Sequence, residues 1–203
     1  MRSVAKASLN ALGLLLASLY IVYAKLLGLL VGEVGFSHAA YALAVIPGFL
    51  GVSTRRAFYC VMLHECHWDV HVGFGSAFTH PTAVVGKRVW IGAYSLIGRC
   101  TLGDDVVIGS RVSVLSGRHQ HRFDRLDLPI RAQPGVLEEV AVGEDCWLGE
   151  GCIITADVGA GCVVGAGAVV VDPIEPLSVV VGNPARQVAT RGSGPESSAY
   201  GTR

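Results

Sequence analysis

From Val84 to Asp172 the chain repeats aliphatic and small or polar positions with a period of about six residues. The aliphatic heads, each followed by glycine, are Val85, Ile91, Ile97, Leu102 and Ile108, and after an interruption Val142, Leu148, Val158 and Val164. Four positions after most heads stands a second small or branched residue: Val89, Ser95, Val106, Val112, Cys146, Cys152, Cys162 and Ala168. A fixed short period marks a repeat architecture. Two inward positions per unit suit a short strand with one buried face, and glycine lets the chain bend between strands. Three units complete one triangular coil. Coils stack at the usual interstrand spacing of about 4.8 Å, each covering the apolar interior of the next. An ordinary glycine-rich β-sandwich would instead space its strands at about 8–12 residues.

Ahead of the repeat the pattern is different. Ala7 to Ala24 carries no charge, Lys25 interrupts, and Leu26 to Gly32 continues; a second uncharged run extends from Val34 to Val52. Either run approaches the ~20 apolar residues that cross a bilayer. Arg2 and Lys6 precede the first run and Arg55-Arg56 follow the second. If both runs cross, both basic ends lie on the cytoplasmic side. A signal peptide is the first alternative, but no small-x-small cleavage site follows the run. Helices lying in the interface, or packed on the repeat as a soluble cap, are the others. The expectation is a hydrophobic helical segment over 1–56 associated with the cytoplasmic side of the inner membrane, with a purely cytoplasmic location as the alternative.

Composition narrows the classes. Of 203 residues 51% are hydrophobic and 16% charged, so the chain can bury a substantial core. Net charge is zero, and nothing points to nucleic acid as partner. Six cysteines are too few for a disulfide scaffold, and Cys146, Cys152 and Cys162 fall on inward positions as reduced core residues. The cluster His64-Glu65-Cys66-His67, with Asp69 and His71, has metal-ligand residue types, but its spacing matches none of the usual zinc patterns. It reads as a polar helix end meeting the first coil, with irregular β coils from about Val70 onward.

The repeat stops after Val114-Leu115-Ser116 and returns at Val140. Between them, over 117–139, lies a segment rich in His, Arg and Asp. A solenoid tolerates an insertion best as a loop leaving one corner, and a loop of this length with no element of its own is more often functional than a spacer. His119 and His121 are its candidate bases, since a neutral imidazole can take a proton from a hydroxyl near neutral pH. Asp124 and Asp127 are candidates for orienting the ring, and Arg118, Arg122 and Asp124 for touching a substrate. The coil from Ile153 to Asp157 runs two residues short of two full units before Val158, which implies a local tightening there.

Taken together, the repeat, the Ser116-Gly117 start of the loop, Trp147-Leu148-Gly149, Gly165-Ala166-Gly167 and Gly182-Asn183-Pro184-Ala185-Arg186 resemble the hexapeptide-repeat acyltransferases, in particular their sugar and exopolysaccharide O-acetyltransferase branch. Arg55-Arg56-Ala57-Phe58-Tyr59 resembles a segment of the polysaccharide-biosynthesis members. The resemblance implies a mainly β fold: a left-handed parallel β-helix over 57–186, with hydrophobic N-terminal helices and a short C-terminal extension, the tail 187–203 being flexible. It implies acetyl-CoA as acyl donor, no metal, a loop histidine as general base, and a homotrimer with CoA lying between subunits. It implies further that Trp147 flanks the acyl or pantetheine arm, that Gly149, Gly165 and Ala166 line the cofactor, and that Arg186 meets a CoA phosphate. A carbohydrate acceptor, possibly lipid-linked, follows from the same source. The closer resemblance, to relatives reading Ser-Gly-(Arg/Lys)-Arg-Gln-His, places the base at His121, which is the favoured candidate, while the galactoside-type spacing of eleven from Ile108 reaches His119 as the alternative. Two other functions share the scaffold. One is a zinc-dependent carbonic anhydrase, for which His80, His119 and His121 are the only plausible ligand set. The other is a non-catalytic β-helix that docks partners at a membrane.

Overall fold

The computed structural model describes residues 2–192, with the side chains of 2–7 and 9 left aside. Three helices lead into a parallel β-solenoid. Helix α1 (Arg2–Val31), α2 (Val34–Ala44) and α3 (Gly48–Met62) precede the first strand. The first coil comprises β1 (Glu65–Cys66), β2 (His71–Val72) and β3 (Ala77–Phe78), and the second β4 (Val84–Val85), β5 (Trp90–Ile91) and β6 (Leu96–Ile97). The third comprises β7 (Cys100–Leu102), β8 (Val107–Ile108) and β9 (Ser113–Val114). Beyond the loop come β10 (Val140–Val142), β11 (Trp147–Leu148) and β12 (Ile153–Ile154), then β13 (Val163–Val164) and β14 (Val169–Val170), then β15 (Ser178–Val181) and β16 (Arg186–Thr190).

Each face of the prism is one sheet. Face A runs β1-β4-β7-β10, face B runs β16-β15-β13-β11-β8-β5-β2, and face C runs β14-β12-β9-β6-β3. In most strands the first residue points out and the second in, so the heads stack in columns. On face B the inner column is Val72, Ile91, Ile108, Leu148, Val164 and Val180. All the heads and all the +4 residues expected to face inward are buried, the three cysteines among them. The glycine after each head is required by the stacking itself. A Cβ at Gly92 would lie 2.6 Å from the backbone of Gly109 in the next coil, closer than any real Cβ contact. The +3 corner position has φ near +60° at Arg88, Tyr94, Asp105 and Arg111, a left-handed conformation that tightens each bend.

The corner between faces C and A spans seven residues from Phe78 to Val85 and is the tight one in later coils. Ile97 and Leu102 stand five residues apart across it, and Ile154 and Val158, like Val170 and Ile174, only four, whereas the other corners keep the six-residue step. The shortening after Ile154 is therefore one instance of a corner that is short in successive coils. The 117–139 loop leaves from this same corner.

Of the arrangements open for the second apolar run, the structure shows packing on the repeat as a cap. The second apolar run does not form one long helix: it breaks at Val45–Pro47 into α2, of 11 residues, and the start of α3. Proline cannot continue α2, and Gly48 at φ +69° turns the chain. Helix α2 packs on β3, while α3 packs on β1 and β2, so the two close the first coil. Phe36, Phe58, Tyr59 and Phe78 form a chain of ring contacts across that junction. Arg55, which would lie at a basic cytoplasmic end only if the second run crossed, is fully buried. Its guanidinium donates to the carbonyls of Val72 (3.0 Å), Leu43 (3.1 Å), Ala44 (3.3 Å) and Ile46 (2.8 Å). Helix α3 runs to Met62, so the helical part extends beyond residue 56, and regular strands begin at Glu65 ahead of Val70.

Helix α1 packs on both α2 and α3 through small residues. A Cβ at Gly13 would strike Ser53, and one at Gly35 would strike Ala24 and Gly28. Its other face is bare. Asn10–Val31 has a mean hydropathy of 2.2 with 11% of it buried, which makes it long and apolar enough to cross a membrane. At the far end, residues 187–190, expected to be flexible, pair antiparallel with β15 as part of β16. Arg191 anchors the end on Asp145 at 2.8 Å. The remainder of the expected tail, 193–203, lies outside the described residues.

Candidate active site

The loop leaves face C after β9 and returns to face A at β10. Its base is closed by Glu138 N–H donating to Ser116 O (3.0 Å) and Val136 N–H donating to His119 O (2.8 Å). The far half is knitted by Gln133, buried among loop residues. Its amide donates to Arg125 O (2.8 Å) and Leu128 O (3.1 Å) and accepts from Arg125 N–H (3.2 Å). A single 3-10 turn, Ile130–Ala132, precedes it. The two arms pass so closely that a Cβ at Gly135 would fall 1.7 Å from Gln120 O. The insertion is thus tied at its base and across its arms by these hydrogen bonds, while nearly all of its side chains face solvent.

Two clefts meet at His119. One, of about 290 Å³, lies between the loop base and the tight corner, lined by Gly117, Arg118, His119, Glu138, Glu139, Val140, Thr155, Ala156, Asp157, Val171 and Pro173. The other, of about 300 Å³, is lined by His119, His121, Arg122, Phe123, Asp124, Val136 and Glu138. His119 Nδ1 stands 3.2 Å from Glu138 Oε1. An ionised carboxylate can only accept, so Nδ1 carries the proton in this pair, and the Nε2 of a neutral ring keeps its lone pair. In that tautomer Nε2 is free to accept a proton.

Of the residues singled out from sequence, the loop brings His119, His121, Arg118, Arg122 and Asp124 together. Among the described residues the ring of His121 makes no hydrogen bond, and its neighbour Asp124 lines the second cleft. Asp127, a candidate for orienting an imidazole, is instead paired with Arg125. That pairing holds its carboxyl below the usual aspartate range. Arg118 reaches along the corner to Val171 O (3.1 Å) and Asp172 (3.2 Å), so it ties the loop to a later coil. Sequence reasoning passed over Glu138. Its one signal was position, next to the point where the repeat resumes, and nothing in the spacing connects it to His119.

The expected cofactor residues sit elsewhere on the prism. Trp147 is 57% exposed in the outer column of face B, between Val107 and Val163. Gly149, Gly165 and Ala166 lie at the corner between faces B and C. The open sides of Gly149 and Gly165 face the next coil, since a Cβ on either would meet Ala166 N at 2.6 Å or Val181 Cγ1 at 2.8 Å. Arg186 is exposed at the start of β16 and donates to Ala185 O. Within one chain, face C separates this group from the loop.

Among the described residues no three or more His, Cys, Asp or Glu side chains are grouped to hold a metal ion. His80 Nδ1 lies 2.8 Å from Thr79 Oγ1, and His80 lines neither cleft at the loop histidines. His71 stacks on Trp90 at 3.7 Å.

The repeat region matches two family descriptions, "Bacterial transferase hexapeptide (six repeats)" over residues 82–116 and "Hexapeptide repeat of succinyl-transferase" over residues 139–171. Both segments are similar to hexapeptide-repeat transferases. The unmatched stretch between the two segments is the loop just described. A probable acetyltransferase of Mycobacterium tuberculosis is 32% identical over 119 residues, covering 56% of this chain and 39% of the relative. The hexapeptide-repeat chain described here therefore spans well under half the length of that relative. Among solved structures, a maltose O-acetyltransferase from Clostridium difficile shares the fold with a TM-score of 0.71 at 22% identity, covering 80% of this chain and 88% of that one. A galactoside acetyltransferase in complex with coenzyme A superposes with a TM-score of 0.61 at 18% identity, covering 78% of this chain and 82% of that one.

Proposed function

We propose that this hexapeptide-repeat protein is a CoA-dependent O-acetyltransferase that acts on a sugar hydroxyl of a polysaccharide or other glycan precursor. The observation that carries the reading is the His119–Glu138 pair at the meeting point of two clefts. Similarity to proteins named as acetyltransferases, two of them for sugar acceptors and one holding coenzyme A, supports the donor and acceptor classes. His119 Nε2 takes the acceptor hydroxyl proton as the oxygen attacks the thioester carbonyl. The C–S bond breaks, and the proton passes to the leaving thiolate. Glu138 keeps Nδ1 protonated and the ring oriented throughout.

The active site is composite. Trp147 and its neighbouring corner present a flat exposed aromatic that suits an acyl or pantetheine arm, but they face away from their own chain's loop. A homotrimer that sets the loop of one subunit against face B of the next would unite them. Exposed Phe123 and Leu126 on the loop and Trp90, Val107 and Trp147 on face B are apolar surfaces for such a contact. Mixing inactive His119→Ala chains with inactive Trp147→Ala chains, then unfolding and refolding them together, is expected to restore part of the activity. No recovery in co-assembled oligomers would place both residues in a single-chain site.

The bare face of α1 supports a membrane location on the cytoplasmic side, where CoA thioesters are made, and so favours an acceptor held at the membrane. The expected result of Leu15→Glu, Leu19→Glu and Leu26→Glu together is a shift of the protein from the membrane fraction to the supernatant with the solenoid intact. These side chains point away from α2 and α3. A triple variant that still sediments with membranes would refute this location.

A further inference from the structure

Two cysteines stand apart from the others. Cys60, in the last turn of α3, and Cys66, on β1, place their sulfur atoms 3.8 Å apart, and both are half-buried. Cys100, Cys146, Cys152 and Cys162 are all sealed in the prism interior. The pair sits where the helical cap joins the solenoid, the most consequential junction in the chain. Cys66 borders an open cleft of about 450 Å³ lined also by Glu65, His67, Val85, Gly86, Lys87 and Asp104, and Cys60 behind it is half-buried, not sealed. We propose that Cys60 and Cys66 form a reversible intrachain disulfide, a redox modification site that locks α3 to the first coil.

The geometry needs little change. A disulfide brings its sulfurs to about 2.05 Å, and the two side chains face each other across one short connection. The chemistry distinguishes the pair as well. The Cys60–Cys66 contact and the positive potential of Arg56, one helical turn earlier, lower the Cys60 thiol, while the same contact and burial raise that of Cys66. Burial pushes Cys100 and Cys152 up to about 12 and Cys146 up to about 11, leaving them inert near neutral pH. With a hydroperoxide as oxidant, the Cys60 thiolate attacks the O–O bond. It becomes a sulfenic acid, and the alcohol (or water) leaves with a proton. Cys66 then attacks the sulfenic sulfur, its thiol proton leaves with the hydroxyl as water, and the S–S bond forms. In total two thiols are oxidised and one hydroperoxide is reduced.

The test treats the full chain with hydrogen peroxide, alkylates the remaining thiols, and maps peptides without reduction. The expected result is a Cys60–Cys66 cross-linked peptide and joint loss of alkylation at both positions, reversed by dithiothreitol. The Tm of the oxidised protein should rise, and that rise should be absent in Cys66→Ser. In Cys66→Ser, a dimedone-type probe should capture sulfenic acid on Cys60. Full alkylation at both positions after peroxide, or cross-links only between chains, would overturn the site. A cross-link with unchanged Tm would overturn the lock, and no capture on Cys60 would overturn the order of attack. None of these readouts uses acetyl transfer, so the outcome is independent of the proposed enzymatic reading.

Discussion

His119→Ala lowers the turnover number for acetyl transfer about 10²–10⁴-fold, the range over which positioned proton transfer contributes, while KM for the donor changes little. The reason is local. His119 is the loop histidine whose ring is held by a carboxylate, and it borders both clefts. Glu138→Ala is expected to reproduce part of that loss, and Glu138→Gln less of it, because an amide oxygen can still accept from Nδ1. His121→Ala should leave turnover near the wild-type rate. Steady-state rates with acetyl-CoA and a panel of free and lipid-linked glycans check all four variants. If His121→Ala abolished turnover and His119→Ala did not, the base would be His121 and the Glu138 pair would be structural.

Arg55→Ala unseats the cap. Its guanidinium spans the end of α2 and the strand β2, satisfying carbonyls of Leu43, Ala44, Ile46 and Val72 from a position with no solvent access. Leu43 O and Ala44 O keep backbone donors in Ile46 N–H (3.2 Å) and Gly75 N–H (2.8 Å), so the loss falls on the carbonyls of Ile46 and Val72. At roughly 1–3 kcal/mol for each buried acceptor left unpaired, it is on the order of 4 kcal/mol. For a chain of this size that corresponds to a fall in Tm of roughly 8–16 °C. Gly51 belongs to the same arrangement: a Cβ there would lie 1.8 Å from Ile46 O, so the carbonyl can turn toward Arg55 only because residue 51 lacks a side chain. Arg55→Lys keeps the charge but cannot fork to several oxygens, and is expected to fall between the two. Thermal unfolding of the full chains, followed by circular dichroism, measures the effect. A Tm for Arg55→Ala within a degree of the wild type would show that the cap does not depend on this residue.

The two residues illustrate different kinds of legibility. His119 was visible as one of two histidines in the only interruption of a regular repeat, but its partner was not. Glu138 is brought to it by the return arm of a loop whose path depends on Gln133 and Gly135, and no periodicity encodes such a meeting. The place of Arg55 stayed open because a basic pair after an apolar run has the same composition whether it faces headgroups or lies buried beneath a helical cap. The C-terminal strand was missed for a related reason. The composition after Gln187 is polar and glycine-rich, yet β15 leaves an unpaired edge that residues 186–190 complete.

The sequence by itself determined the solenoid, its inward residues, the position of its one large loop and the apolar character of α1. Each of these follows from a periodic or compositional property that every residue in the stretch shares, and burial of one face enforces it. Tertiary structure alone decided how the second apolar run breaks and caps the first coil, which corner is short, and which carboxylate holds which imidazole. It also decided that the loop and the expected donor-binding face lie on opposite sides of face C. These are relations between residues far apart in the chain, set by how coils stack and how a loop closes on itself.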